Sequence, residues 1–367
     1  MNRSLASIAM FVATLSSATL ASAAPPTYRL TEFGFNDPPG STTYISGLAD
    51  TGEVALTVYG STTIQSYLWF NGVTSPLSGA DTACGPNTNV LIAGFSRLGH
   101  VSLNVYNADG SCNKNAVWVQ GKLTYIGAPP VPYTTVGVGA INDRDQVTGS
   151  LFSQTIVNGD SLESQFVWQN GQYTLLPPLP DGERYYPGGA TATSINDFGV
   201  IAGTSGTAGG FRGVVWINDQ AIDMGTCPGI PNSGGGIINN LGMVTGTCES
   251  NQQTFTPYVW QFGHFNILPL PASGYQSGFA GGLNDFGEIA GAQYPSPDGT
   301  SPPTALLWLQ GQVYDLNTLI APNDPLKPYV VLEFGGAVNA LGQVTASGVD
   351  SRLPAGSTVQ LLLTPVH

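Results

Sequence analysis

A ten-residue segment, Ser194-Ile195-Asn196-Asp197-Phe198-Gly199-Val200-Ile201-Ala202-Gly203, returns almost unchanged as Gly282-Leu283-Asn284-Asp285-Phe286-Gly287-Glu288-Ile289-Ala290-Gly291. Related copies centre on Ile141-Asn142-Asp143, Ile238-Asn239-Asn240 and Val338-Asn339-Ala340. Two divergent ones centre on Leu48-Ala49-Asp50 and Phe95-Ser96-Arg97. The seven anchors fall at positions 52, 99, 145, 199, 242, 287 and 342, spaced by 43 to 55 residues. A repeat of this period is one supersecondary unit. Alone it cannot bury its apolar face, so it must stack on its neighbours.

A second signature follows the first six copies: an apolar strand ending in Trp, then a turn. The Trp residues are Trp69, Trp118, Trp168, Trp216, Trp260 and Trp308, and no Trp lies outside this slot. The seventh copy carries Leu361-Leu362-Leu363 instead. Each unit therefore reads as four short strands. Strand A is small and Gly-rich, as in Gly188 to Ile195. The Asn-Asp-x-Gly turn leads to strand B, with Gly supplying positive φ and Asn and Asp making turn bonds. Strand C holds the Trp. The Asn-Gly or Gln-Gly pair after it is a two-residue hairpin signal leading to strand D.

Four antiparallel strands repeated at this period predict an all-β fold, a seven-bladed β-propeller. Small residues suit strand A, which crowds the axis, and the Trp residues are expected to pack between blades. The ends support closure. The seventh copy stops after strand C, near Thr364 to His367, while Thr27 to Phe33 reads as a lone strand D. The N-terminal strand is expected to complete the C-terminal blade, leaving no open edge.

Residues 1–23 read as a signal peptide: Arg3, an apolar run through Ile8, Phe11 and Leu15, and the Ala21-Ser22-Ala23 cleavage pattern. A membrane anchor is the competing reading, weakened by a short run rich in Ser, Thr and Ala. Residues 24–367 are then one exported domain, secreted or periplasmic, expected as a monomer without membrane insertion. Ten Lys and Arg against 23 Asp and Glu give a net charge of −13, which argues against a nucleic-acid partner. An even count of four Cys in an exported chain points to disulfides. Cys84 and Cys227 each lie 15 residues before an anchor, and Cys112 and Cys248 each fall after strand B of the same blade. The expected pairs are Cys84–Cys112 and Cys227–Cys248. A metal site is the poorer reading, with no Cys-x-x-Cys and no His cluster.

The Ile-Asn-Asp-x-Gly-x-Ile/Val-x-Gly pattern followed by apolar-Trp-x-x-Gly resembles the extracellular HAF repeats of bacterial secreted proteins, over almost the whole of residues 24–367. The resemblance implies export and a repeat β fold, and transfers no catalytic residue. The chain departs from the pattern at Ala49, Ser96 and Asp145.

Chemistry is sparse. His100, His264 and His367 form no Ser-His-Asp set. His100 occupies a slot after the turn Gly that reads as solvent-exposed or variable. The Asn-Asp-x-Gly turns lack the alternating oxygen ligands and closing Glu of a calcium loop, and turn chemistry accounts for them. No cofactor and no metal are expected. The connections from strand D to the next strand A vary between copies and gather at one mouth of the channel, where loops on a rigid scaffold carry binding. Tyr44, Asn87, Tyr185, Tyr186, Tyr275, Gln276 and Glu333 are the ligand-binding candidates there. Tyr with amides and acids suits a sugar, and also a protein surface. Two function classes follow. One is a non-catalytic binding or structural module for a glycan or protein ligand. The other is a secreted glycan hydrolase or lyase, pairing Asp181 or Glu183 with Glu333 across the channel.

Overall fold

The structure, a computed structural model, describes residues 24–34, 37, 40–157, 160–180, 182, 190–271, 276–294, 301–354 and 356–366. The signal-peptide expectation and His367 lie outside them.

Seven four-stranded antiparallel sheets form the ring, a β-propeller. Blade 1 holds strand A (Thr42–Leu48), B (Val54–Tyr59), C (Ile64–Phe70) and D (Val73–Pro76). Blades 2 to 6 repeat this order over 89–125, 135–176, 190–225, 232–267 and 277–315. Blade 7 takes strands A (Val330–Val338), B (Val344–Asp350) and C (Thr358–Val366) from the C-terminus. Its outer strand is Thr27–Phe33, paired antiparallel from Thr27 opposite Val366 to Phe33 opposite Gln360. The N-terminal strand thus closes the ring as its sequence predicts. Tyr28 is buried there, and its carbonyl accepts from Ala321 N–H.

Strand register places each Trp opposite the first residue of strand B. Val54 faces Trp69, Val101 faces Trp118, and Ile289 faces Trp308. From this position the indoles fill the space toward the preceding blade. Trp118 packs with Ala55 of blade 1, Trp216 with Leu176 of blade 3, and Trp69 with Phe33 and Leu362 of blade 7. Three indole N–H groups donate to backbone just after strand D of the preceding blade: Trp118 to Ser78 O, Trp216 to Pro177 O and Trp308 to Pro269 O. Leu363 takes the slot in blade 7, opposite Val344. The 3-10 helix Leu316–Leu319 follows strand D of blade 6, and its two Leu join the same buried cluster as Leu363. That insertion accounts for the long last spacing of the repeat. In blade 3 a long hairpin does the same, its strands running Val147–Val157 and Asp160–Gln169.

Both disulfides are as expected, Cys84–Cys112 and Cys227–Cys248. One detail differs: Cys248 lies within strand B (Val244–Glu249), not after it, and is fully buried. Among the described residues no helix is long and apolar enough to cross a membrane.

Candidate functional site

The repeated Asn does more than make a turn. Oδ1 of Asn284 accepts from the N–H groups of Phe286 and Glu288, which closes the turn. Its Nδ2 donates to Glu288 Oε2 and to Asn339 O of the next blade. All four hydrogen-bonding positions of the amide are filled, three within its own turn and one to the next blade. Asn142, Asn196 and Asn239 likewise donate to Asn196 O, Asn239 O and Asn284 O, and Asn339 closes the series on Ala49 O. A buried chain of amides therefore ties five blades to their successors around the axis. Turn chemistry alone, the expectation from sequence, leaves out the bond that each Asn makes to the next blade.

The slot after the turn Gly is also not a free solvent position. Gln146 and Gln343, like Glu288, accept from the Asn of their own turn. His100 is half-buried, and its Nδ1 lies 2.7 Å from Asp145 Oδ1 of the next blade. Exposure fails as a reading of this slot because the turn folds it back toward the neighbouring blade.

The residues after the Asn positions form a ring at the channel mouth, and Asp50, Arg97, Asp197, Asn240 and Asp285 of it line the channel cavity. The members of the ring are Asp50, Arg97, Asp143, Asp197, Asn240, Asp285 and Ala340. Their acceptors take backbone N–H groups from the blade before. Leu98 donates to Asp143, Asp143 to Asp197, Asp197 to Asn240 and Asn240 to Asp285, each at 2.9 Å. Arg97 is the single basic member. Its Nε donates to Asp50 Oδ2 at 2.6 Å, its Nη1 pairs with Asp285, and Asp197 lies 3.8 Å away. Burial works against the charged guanidinium. The hydrogen bond and charge of Asp50, with Asp285 and Asp197, outweigh that and hold Arg97 protonated. Below the mouth lies a cavity of about 320 Å³, walled by the ends of the seven A strands, including Gly47, Gly94, Ala140 and Gly282. A Cβ at Gly47, Gly94 or Gly282 would run into Phe95, Gly139 or Gly336 of the next blade, so these glycines let adjacent A strands crowd together around the axis.

Around this mouth stands a collar of apolar turn tips. Leu98 and Leu341 are each 55% exposed, Leu241 58%, Phe198 66% and Phe286 72%. In blades 1 and 3 the same position is Thr51 and Arg144. Arg144 lies over the Phe198 ring, 5.8 Å from its centroid. The C–D turns open on the same face and add Phe70 and Phe262, both exposed. Hydrogen bonds from Gln169 to Arg144 O and from Gln261 to Leu241 O tie the two kinds of turn together.

The loop candidates lie at the opposite mouth, where D–A and B–C connections meet. Tyr44 is exposed and packs edge-on against Tyr59 at 5.4 Å. Asn87 sits in a left-handed turn with φ 65°. Gln276 donates to Pro271 O at 3.0 Å. Glu333 lies on strand A of blade 7, and burial raises its pKa. Asp181, Glu183, Tyr185, Tyr186 and Tyr275 lie outside the described residues. A run of aromatic rings reaches this mouth: Phe255 near Tyr294, Tyr294 near Phe279, and Phe279 near Phe334 of the next blade, with centroids 6.0–6.4 Å apart. Among the described residues no group of three or more His, Cys, Asp or Glu is placed to hold a metal ion.

The collar was visible in the sequence as the apolar x of Asn-Asp-x-Gly. Arg97 was visible as the one basic residue in a position otherwise filled by Asp, Asn or Ala. Neither signal has meaning until the ring brings seven turns to one axis.

No protein-family model matches the chain, and no curated protein sequence matches it. Solved structures similar to it are propellers. The β-propeller domain of the Trilobed protease from Pyrococcus furiosus, described as having an open velcro topology, superposes with a TM-score of 0.52 at 10% identity, over 77% of this chain and 85% of that one. YCF48 from Cyanidioschyzon merolae gives 0.50 at 12% identity, over 92% and 98%. A prolyl endopeptidase gives 0.58 at 6% identity, over 93% of this chain and half of that one. At such identities the likeness is one of fold, and a propeller fold serves many functions.

Proposed function

We propose that the chain is an exported, non-catalytic binding module built from HAF-like repeats, and that it holds a polypeptide on the A–B turn face. The collar carries this reading. Five large apolar side chains stand more than half exposed in a ring, where the turn itself requires no apolar residue. Exposed apolar side chains gathered on one face of a rigid scaffold, four of them on the successive blades 4 to 7, mark an interaction site. Export is supported by the two disulfides and by the leader-like residues 1–23.

Site-specific photo-crosslinking in the secreting cell tests it. A benzophenone side chain at position 198 or 286 should give one discrete adduct, and the same group at Tyr125 on an outer strand should give none. No adduct from the collar, or equal labelling from Tyr125, would sink the proposal.

A glycan at the opposite mouth is the second reading, favoured by the aromatic run ending at Phe279 and Phe334. A thermal-shift panel of sugars distinguishes it, because a ligand of the folded state raises its stability. A hydrolase at that mouth would need Glu333 and Asp181 or Glu183 roughly 5–10 Å apart.

A further inference from the structure

The chemistry of the partner can be taken further, on the polypeptide reading of the collar. The face already holds two guanidiniums of its own, and they show what it accepts. Arg97 lies among carboxylates of blades 1, 4 and 6, and Arg144 lies on the Phe198 ring. The face nevertheless remains net acidic, with Asp50, Asp143, Asp197 and Asp285 against Arg97 and Arg144. Asp143 uses only Oδ1, on Leu98 N–H, and among the described residues no donor lies on its second oxygen. Phe286 is the more exposed of the two A–B turn rings, and unlike Phe198 it has no cation over it among the described residues.

We propose that the partner presents an arginine flanked by apolar residues, its guanidinium entering the acid mouth beside Asp143 while its apolar neighbours lie on the Leu and Phe tips. A planar guanidinium suits both halves of such a site, since it pairs with carboxylates and stacks on aromatic faces. A second copy of the chain fits badly, because two acidic mouths would face each other on molecules of net charge −13. A lipid surface fits badly too. Seating the Phe tips in a bilayer would press the carboxylates toward hydrocarbon, and burying unpaired charge is costly.

The probes are two blocked pentapeptides titrated into the oxidised protein: acetyl-Phe-Leu-Arg-Leu-Phe-amide, and the same peptide with citrulline, which keeps the shape and removes the charge. The arginine peptide should bind about tenfold more tightly, as a charge-assisted contact should. The gap should narrow as salt is raised. Asp143→Asn keeps the oxygen that Leu98 uses, and should weaken the arginine peptide alone. Phe286→Ser, at an exposed tip, should weaken both peptides while leaving the melting temperature in place. Equal binding of the two peptides would overturn the arginine proposal and leave the collar reading standing. Binding of neither, or binding indifferent to Phe286→Ser, would overturn both. Capture by neutral phosphatidylcholine vesicles that Phe286→Ser abolishes would assign the face to lipid and overturn the proposal as well.

Discussion

The guanidinium of Arg97 in blade 2 donates to the carboxylate of Asp285 in blade 6, as far round the ring as seven blades permit. The same side chain holds Asp50 of the adjacent blade 1. One residue therefore pins the turn face across its own channel, where backbone bonds reach only from one blade to the next.

Replacing Arg97 by Met keeps the aliphatic stem and removes the cross-channel pairs. The side chain is 40% exposed, so solvent screening limits its worth. The loss should be about 1 kcal/mol in chemical denaturation. A double-mutant cycle with Asp285→Asn should show coupling that falls with ionic strength. No coupling at low salt would mean that the pin contributes nothing to stability.

Asn284 tests the amide chain. Asn284→Ala orphans the N–H groups of Phe286 and Glu288 and the carbonyl of Asn339, and should cost about 3 kcal/mol. Asn284→Asp keeps the acceptor but sets a carboxylate against Glu288 and a carbonyl oxygen. It should be the less stable of the two at neutral pH. The contacts raise its folded pKa above the unfolded value of about 4, so its deficit should shrink as the pH falls through the folded value toward that one. Melting curves of both variants at two pH values check this, and a pH-independent difference would contradict it.

Deletion of residues 27–33 removes the outer strand of blade 7 and the buried Tyr28, and re-exposes the Gln360–Val366 edge. The melting temperature should fall markedly. A synthetic peptide of that strand should restore part of it by mass action. A truncated protein that melted within a degree or two of the intact one would show that the ring does not depend on this closure.

The two disulfides differ in access. Cys227 and Cys248 are buried, whereas Cys84 and Cys112 are partly exposed. A mild reductant without denaturant should open Cys84–Cys112 first and leave Cys227–Cys248 until the fold opens. Each contributes about 2–4 kcal/mol by restricting the unfolded chain. Timed alkylation with peptide mapping reads the order, and simultaneous reduction would refute it.

Glu32 on the closing strand donates no charge freely. Its burial, and the nearby charge of Asp350, raise its pKa against the pull of Arg352. A raised native pKa means that the folded state binds the proton more tightly. Glu32 therefore costs stability progressively as the pH rises from its unfolded value through its folded one. Relative to the wild type, Glu32→Gln should gain stability across that rise. Melting temperatures between pH 4 and 7 should diverge in the variant's favour, and a constant difference would show that Glu32 is unperturbed.

The seven-blade ring, the Trp slots, the strand that closes the last blade and both disulfides were readable from the chain itself. The reason is periodicity: alternation, turn residues and Trp spacing are local, and seven copies of a local rule leave one assembly. The Asn-to-Asn chain, the His100–Asp145 pair and the reach of Arg97 to Asp50 and Asp285 were not readable, because each joins residues from different copies. The collar lies between these cases. Leu98, Phe198, Leu241, Phe286 and Leu341 stand in the sequence as turn residues 43 to 100 positions apart. Only closure of the ring brings them around one acidic mouth, because a propeller converts position along the repeat into distance from a common axis.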